Sequence, residues 1–454
     1  MPVVACYGLV GSWLVHGPIR TGRLTGCSEN VAVYAKSIAI YGFKCFGKAE
    51  IDFHYPGGPD EDELEHPTVN LILGDNGGGK SSVLRAIAIA ALAPALINGG
   101  LVPYRLVRRD AKGEVASNSL VKLLGILDDS ERPHSKPQKK GSDRPYEFLA
   151  RLKANPRRQI DQLTLESTPE NPISELIYDD YSSAFFVVGY GATRRVESAD
   201  FSSSSEDKRR ARRYQRIASL FEDHVALRPL QSWFPLLPET SKTEVIELLA
   251  RALPDNVRFE GTLEGDDYVF SFNGIPTPFP ALSDGYKAFI GWLSDLIGHM
   301  TSVCEGRKLV DLTGIVLVDE IDLHLHPSWQ RDVVARLSRA FPKLQFVFTS
   351  HSPLVAASVQ SNNVIVTGND ADGLPILERM KETLYGRSIE AVLMSPYFGL
   401  DSLRPPEARA ATNALAAKVS AKPGGDVDAA EAFLQQLAEP LDKLRSGGSR
   451  SKAR

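Results

Sequence analysis

A glycine-rich segment from Gly74 to Ser81 has the residue types and spacing of a loop that binds polyphosphate. It reads GDNGGGKS and fits G-x-x-x-x-G-K-[S/T] at every specified position. Glycines let successive backbone N–H groups turn towards one anion, and a helix that begins directly afterwards adds the positive end of its dipole. The candidate nucleotide ligands are Gly74, Asp75, Asn76, Gly77, Gly78, Gly79, Lys80, Ser81 and Ser82.

Two residues of this loop have specialised roles in the prediction. The Lys80 ammonium would reach the terminal phosphates, and the Ser81 hydroxyl would bind Mg²⁺. A glycine-rich turn with a chance Lys-Ser pair is the alternative. The loop follows the apolar run Val69–Leu73 and precedes a segment of helical character, Ser81–Leu92. This strand–loop–helix context favours a nucleotide site that holds a polyphosphate with Mg²⁺.

Two adjacent acids, Asp319 and Glu320, end a second apolar run, Ile315–Val318. At a nucleotide site the first carboxylate would hold Mg²⁺, and the second would act as general base towards the attacking water. A solvated strand end is the alternative for such a pair taken alone. The phosphate loop elsewhere in the chain favours the catalytic interpretation.

These side chains must be held by a sheet whose strands all end at one edge. Short apolar runs at Val69–Leu73, Ile315–Val318 and Gln345–Phe348 have the length of buried strands, and Ser81–Leu92 and Gly285–Met300 have helical patterns. Strands that alternate with helices are typical of an α/β fold with a parallel sheet. We therefore predict that class.

Composition excludes several other classes of protein. The 454 residues carry a net charge of −4 with 43% apolar residues, so a folded core is expected and a whole-chain attraction to nucleic acid is not. The four cysteines form no C-x-x-C pair, which argues against a disulfide framework or a zinc ribbon. No apolar run has the length of a membrane span. We expect a cytoplasmic protein without membrane contact.

The chain divides by composition into four parts. Residues 1–33 show no clear periodicity of apolar residues and are expected to be an appended N-terminal segment. Residues 34–400 would form the nucleotide-binding domain, with an insertion and a helical lobe at about 101–280. An Ala-rich helical segment is predicted at 401–441, followed by a disordered basic tail at 442–454.

Two further motifs connect these elements to a family. Leu282-Ser283-Asp284-Gly285 precedes a predicted helix, and Thr349-Ser350-His351-Ser352 follows a predicted strand. The phosphate loop, the LSDG motif, the two acids and the TSHS motif follow one another along the chain. With these motifs in this order, the chain resembles the ABC-type P-loop ATPases. The resemblance implies ATP hydrolysis with Mg²⁺. It places Ser283, Asp284 and Gly285 at the signature and makes Glu320 and His351 the catalytic residues, with Ser81 and Asp319 on the metal.

The residue patterns of four stretches indicate which branch of these ATPases the chain resembles. IAIYGFKCF, LSDGY, VLVDEIDLHLHPSWQ and FVFTSHSPLV resemble the RecF/SMC-like, DNA-associated ATPases, and more narrowly the stand-alone bacterial ATPases of phage-defence operons such as Septu systems. The likeness is specific over residues 36–94 and 280–395. It implies a head-to-tail homodimer, or a higher homo-oligomer, in which Ser283 of one chain meets the ATP that Lys80 of another holds. It also implies phage defence or DNA repair, through DNA or a partner nuclease.

One element of the family pattern is missing. ABC-type ATPases carry a Gln that senses Mg²⁺ and the γ-phosphate, on a segment between the phosphate loop and the signature. The best-placed segment here, Phe186–Arg195, reads FVVGYGATRR and contains no Gln. Which residue serves at that position is left open by the sequence.

Two groups of potential metal ligands also have a structural interpretation, which we prefer to a metal site. Asp322, His324 and His326 have spacing that suits zinc, but in the family this stretch is the D-loop beside the acids. Asp370 and Asp372 form the D-x-D of a nuclease-type metal site, but they lie in a Gly/Asn/Asp-rich segment that favours a β-turn.

A basic run, Lys208–Arg216, has six cationic residues in nine. It is either a solvated helix face or a contact for a DNA backbone. For the whole chain, two alternatives to an ATP-driven dimeric switch are a static ATP-dependent clamp and the ATPase subunit of a membrane transporter.

Overall fold

The computed structural model describes residues 33–127, 146–165, 185–196 and 211–403, apart from 98, 111, 117, 156–158, 305, 399 and 401, with isolated positions elsewhere. The predictions for the N-terminal segment, for most of the Ala-rich segment and for the basic tail lie outside these residues and stay predictions.

The strands of the described residues, in chain order, are β1 (Val33–Phe43), β2 (Phe46–Asp52), β3 (Val69–Leu73), β4 (Ser119–Leu127), β5 (Tyr146–Lys153), β6 (Gln162–Leu165), β7 (Val187–Tyr190), β8 (Arg195–Val196), β9 (Ala226–Leu227), β10 (Val257–Glu264), β11 (Asp267–Phe272), β12 (Ile275–Pro278), β13 (Gly314–Val318), β14 (Leu344–Thr349), β15 (Val364–Asn369) and β16 (Pro375–Arg379). The α-helices are α1 (Lys80–Leu96), α2 (Arg212–Gln215), α3 (Glu239–Ala252), α4 (Asp284–Thr301), α5 (Pro327–Gln330), α6 (Val333–Ala340), α7 (Pro353–Ala357) and α8 (Ile389–Leu393).

A six-stranded sheet positions the predicted functional residues. Its order is β16-β15-β3-β14-β13-β7, and all neighbours are parallel except the β15–β16 hairpin. The predicted buried strands β3, β13 and β14 are confirmed, and they lie side by side in the middle of this sheet. The prediction of an α/β fold with a parallel sheet is therefore confirmed.

Both faces of this sheet are covered, which explains why its strands are mostly apolar; polar exceptions such as Asn70 and Gln345 are fully buried and hydrogen-bonded. Ile72, Leu317 and Val347 face α1 and belong to one core. Leu71 and Phe346, on the other face, pack into a second core with α3, α4 and α6. Alternate side chains thus enter opposite cores, and no position of a central strand is left for a polar, solvated side chain.

A second sheet covers the far side of α1. It is antiparallel, in the order β2-β1-β4-β5-β6, and α1 is buried between the two sheets along nearly its whole length. The sequence of residues 130–158 is polar and basic with several prolines and predicts a loop-rich insertion, yet β5 lies within it and pairs with β4. That expectation was wrong for β5, because the polar Pro/Lys-rich composition of the stretch before it concealed a short strand. Residues 128–145 lie outside the described part of the chain.

The segment before the signature builds a smaller unit. Strands β10, β11 and β12 form an antiparallel sheet whose aromatic side chains, Phe259 and Phe270 among them, pack with α3 and with Trp292 of α4. The D-x-D stretch joins β15 to β16, where the Asp370 carboxylate accepts hydrogen bonds from the backbone N–H groups of Asp372 and Leu374. The prediction of a β-turn there is confirmed. No helix among the described residues is long and apolar enough to cross a membrane.

Candidate nucleotide-binding site

A cavity of about 490 Å³ lies over the N-terminus of α1, where the central parallel strands end. Nine of the predicted site residues line it, from the phosphate loop, the strand-end acids and the segment after β14: Asn76, Gly77, Gly79, Lys80, Ser81, Ser82, Asp319, Glu320 and His351. The carboxyl edge of a parallel sheet is where α/β proteins bind their ligands, because loops from neighbouring strands converge there.

Lys80 is the cation at the centre of this loop. Its ammonium is almost fully buried and donates to the backbone carbonyls of Gly74 and Asp75, each at 2.8 Å. Burial lowers the pKa of Lys80, while the nearby carboxylates of Asp319 and Glu320 oppose that shift. A buried ammonium that is bonded to neutral carbonyl oxygens has its charge available for a phosphate.

Gly79 is required by the space around the loop as well as by its backbone. Its φ of +91° is one that a residue with a side chain rarely adopts. A Cβ atom at this position would lie 2.5 Å from the Phe46 ring and 2.6 Å from the Cys45 sulfur. The turn between β1 and β2 therefore presses directly on the phosphate loop.

Thr349, the last residue of β14, orients both acids at the end of β13. Its hydroxyl donates to Asp319 Oδ1 at 2.6 Å and accepts from the backbone N–H of Glu320 at 2.7 Å. Glu320 has a φ of +49°, a left-handed conformation that is costly for a residue with a side chain. The two carboxylates are thus held in defined positions at the cavity wall.

His351 lines the same cavity two residues after β14. Its backbone N–H donates to Asp322 Oδ1 at 3.4 Å, so the stretch predicted as a D-loop is hydrogen-bonded to the backbone of His351. His326 acts as the N-cap of α5, where its Nδ1 accepts from the N–H of Ser328. These contacts support the structural interpretation of Asp322 and His326. Within the described part of the chain, no group of three or more His, Cys, Asp or Glu side chains could hold a metal ion by itself.

The signature residues are not brought to the cavity within one chain. Ser283 and Asp284 are exposed, and neither they nor Gly285 line the cavity. Ser283 is the N-cap residue of α4, yet its side chain makes no capping hydrogen bond. Gly285 packs against the D-loop, because a Cβ atom there would lie 2.3 Å from the carbonyl oxygen of His324. The hydroxyl of Ser283 therefore faces outwards.

Sequence reasoning missed a set of cations and a thiol on the cavity wall: Lys44, Cys45, Arg85, Arg105 and Arg109. Burial, reinforced by Arg85, lowers the pKa of Lys44, while Asp161 opposes the shift. Arg109 is paired with Asp161 at 2.9 Å. Arg85 could have been found, because it lies four positions after Ser81 on the same helix face. The others come from separate turns, which no local pattern connects.

The predicted DNA contact at Lys208–Arg216 is wrong for two of its cations. Arg213 is fully buried and donates to the Phe185 carbonyl at 2.8 Å, and Arg216 is buried with its guanidinium 5.5 Å from the Phe186 ring centre. Both stabilise the chain around β7, so neither can reach a nucleic-acid backbone. Arg212 is exposed, and Lys208–Arg210 lie outside the described residues.

Comparison with known families and proteins agrees with this geometry. A family model described as "AAA domain, putative AbiEii toxin, Type IV TA system" matches residues 69–357, and a second "AAA domain" model matches residues 37–96. Together the matches include the phosphate loop, the signature, the acids and His351.

Two curated relatives are named as a Septu protein and a retron ATPase. The chain is 26% identical over 378 residues to "Septu protein PtuA" of Bacillus mycoides (strain KBAB4), which covers 82% of this chain and 46% of that protein. It is 33% identical over 156 residues to "Retron Ec83 probable ATPase" of Escherichia coli. This match covers 33% of this chain and 29% of that protein. The chain thus matches less than half the length of either relative. Among solved structures, an SMC head bound to the C-winged-helix domain of ScpA superposes with a TM-score of 0.45 at 16% identity, covering 76% of this chain and 97% of that one.

Proposed function

Since this chain belongs to the AAA-domain family whose model spans residues 69–357, we propose that it binds Mg²⁺-ATP in the cavity over α1 and hydrolyses it. The observation that carries the proposal is the convergence of Lys80, Asp319, Glu320 and His351 on one cavity at the carboxyl edge of the sheet. The residue types of Lys80, Asp319 and Glu320 predict these roles, and the family resemblance adds His351.

The residues present fit the nucleotide and its metal. The buried Lys80 ammonium and the N-terminus of α1 supply positive charge for the phosphates. The Ser81 hydroxyl and the Asp319 carboxylate are the oxygen ligands that Mg²⁺ prefers. The metal would neutralise charge that develops on the phosphates. Glu320 would accept the proton of the attacking water, and His351 would donate a hydrogen bond at the terminal phosphate.

We further propose that two chains complete each other's sites head to tail. Ser283 is exposed and lies outside the cavity of its own chain, and its side chain makes no capping hydrogen bond to its own helix. In the proposed dimer the α4 N-terminus of one chain closes the cavity of the other. ATP binding would then bring the chains together and hydrolysis would release them.

Two variants in one mixture test this arrangement. Ser283→Arg should bind ATP but not hydrolyse it, and Lys80→Ala should not bind ATP. A mixed dimer contains one site with both defects and one intact site. Random association of equal amounts should therefore restore phosphate release to about one quarter of the wild-type rate. Thr243→Arg, which places the same cation at an exposed position of α3, should hydrolyse ATP normally.

The outcomes separate the parts of the proposal. Normal turnover by Ser283→Arg alone would exclude a signature that acts between chains. ATP binding by wild-type protein without steady-state phosphate release would exclude hydrolysis and leave a static clamp. Failure of ATP to bind at all would overturn the site.

We also propose that the ATP-driven dimer serves in defence against phage, because the relatives named above come from Septu and retron systems. Its output would be a change of shape that acts on DNA or on a partner nuclease. Phage plaque counts on cells with the wild-type operon and with the Lys80→Ala operon test this role. Equal plaque numbers on the two strains would contradict it.

A further inference from the structure

The segment after β7, in which the sequence contains no Gln, runs beside the strand that ends at the two acids. β7 is the parallel neighbour of β13, and the N–H of Asp319 donates to the carbonyl of Tyr190, the last residue of β7, at 2.8 Å. The chain then continues through Gly191 to Arg194, next to the two acids. The side chain of this segment that meets the acids is an arginine.

Arg194 contacts the acids through their backbone. Its Nη2 donates to the carbonyl oxygen of Asp319 and to that of Glu320, the latter at 2.6 Å, and its Nε donates to the Gly191 carbonyl. A guanidinium is a donor only, so it cannot ligate Mg²⁺ as a Gln carbonyl can. Arg194 is also not among the residues that line the cavity.

The bonds from Arg194 complement those from Thr349. Thr349 holds the N–H of Glu320, and Arg194 holds its carbonyl, so both ends of this residue are fixed. The left-handed φ of +49° at Glu320 is unfavourable for a residue with a side chain and persists only where surroundings impose it. Without the guanidinium, the Glu320 carbonyl keeps only the hydrogen bond from the Leu323 N–H at 3.0 Å, so the orientation of the residue is less tightly fixed.

The other side of Arg194 touches the signature helix. The guanidinium lies 5.8 Å from the ring centre of Trp292, which is fully buried in α4 and packs against Tyr190. A cation stacked on an indole ring is attracted to it. One side chain therefore connects the helix that begins at Ser283 with the backbone of the proposed base.

We infer that Arg194 is a positioning residue that sets the orientation of Glu320 and transmits the position of α4 to it. The inference rests on the proposed ATP hydrolysis. Movement of α4, when its N-terminus engages a second chain, would shift Trp292 and Arg194 and thereby the carbonyl of Glu320. Hydrolysis would then depend on dimer closure even though Arg194 touches neither ATP nor metal.

Arg194→Gln tests the inference, with Arg194→Lys as the conservative variant and Arg251→Gln as the matched control on the exposed face of α3. In Arg194→Gln the dissociation constant for Mg²⁺-ATP and the bound stoichiometry should stay at wild-type values. The single-turnover rate should fall about 10–100-fold, as expected when an outer residue that orients a catalytic group is lost. Arg194→Lys, which keeps a charged donor, should lie between this variant and wild type, and Arg251→Gln should match wild type.

A binding readout separates positioning from folding. In a Glu320→Gln background, Arg194→Gln should still form the ATP-dependent dimer, because the two chains still meet. A wild-type single-turnover rate in Arg194→Gln would overturn the inference and leave the proposed hydrolysis intact. Loss of ATP binding, or equal impairment by Lys and Gln together with a lowered bound stoichiometry, would assign Arg194 a purely structural role. Absence of turnover in the wild type would instead reject the proposed function.

Discussion

The close approach of Gly285 to the D-loop gives a prediction whose size follows from the structure. In an open helical position, Gly→Ala stabilises by about 0.5–1 kcal/mol, because it lowers the entropy of the unfolded chain. At Gly285 the new Cβ would lie 2.3 Å from the carbonyl oxygen of His324, a backbone atom that cannot rotate aside. Such overpacking costs about 1–3 kcal/mol. We expect Gly285→Ala to lower the free energy of unfolding by about 1 kcal/mol.

The same displacement should appear in function. Because Gly285 is outside the cavity, the dissociation constant for ATP should change little. The first turn of α4 and the D-loop must move apart, however, and a misplacement of about 1 Å can lower a catalytic rate about 100-fold. We therefore expect turnover to fall about 10–100-fold while ATP binding is retained.

Urea unfolding and nucleotide titration of Gly285→Ala, each beside wild type, measure the two effects. Lys287→Ala, in the same turn of α4, is the control and should change the free energy of unfolding by less than about 0.5 kcal/mol. If Gly285→Ala is more stable than wild type by the helical gain alone, the Cβ is accommodated and the reasoning from the close approach is refuted.

The remaining predictions concern charge. Lys80→Ala removes a charge-assisted bond worth about 1.5–3 kcal/mol and leaves phosphate charge uncompensated, so labelled ATP should not bind at concentrations that saturate the wild type; wild-type affinity would contradict the phosphate loop. Glu320→Gln should retain ATP and slow phosphate release by about 10²–10⁴-fold, and normal turnover would exclude it as the base. Arg213→Ser should lower the free energy of unfolding by about 1.5–3 kcal/mol, whereas an unchanged urea midpoint would show that its burial is not needed. Burial lowers the pKa of His299, which favours the neutral ring in the folded state. Stability should therefore fall as the pH drops below about 6.5, and less so in His299→Gln, measured by urea unfolding at several pH values.

Local sequence determined the chemistry and the elements that carry it. The phosphate loop was readable because a tight anion-binding turn demands glycines, a lysine and a hydroxyl at fixed spacing. The strands β3, β13 and β14 were readable because a strand buried on both faces is mostly apolar, and polar exceptions such as Asn70 and Gln345 are buried and hydrogen-bonded. The same pattern placed Asp319 and Glu320 at a strand end. The family resemblance added His351 and Ser283, whose own motifs are short.

Tertiary structure decided everything that depends on which distant segments meet. The run Lys208–Arg216 reads as a polar surface, yet Arg213 and Arg216 turn inwards, because carbonyl and ring partners near β7 compensate their desolvation. Lys44, Arg105 and Arg109 reach the cavity from turns that no spacing rule connects to the phosphate loop. Arg194 meets Asp319, 125 residues away along the chain, only because β7 lies beside β13. A local pattern reports what one segment can bury or bind, whereas the pairing of strands fixes which side chains share a site.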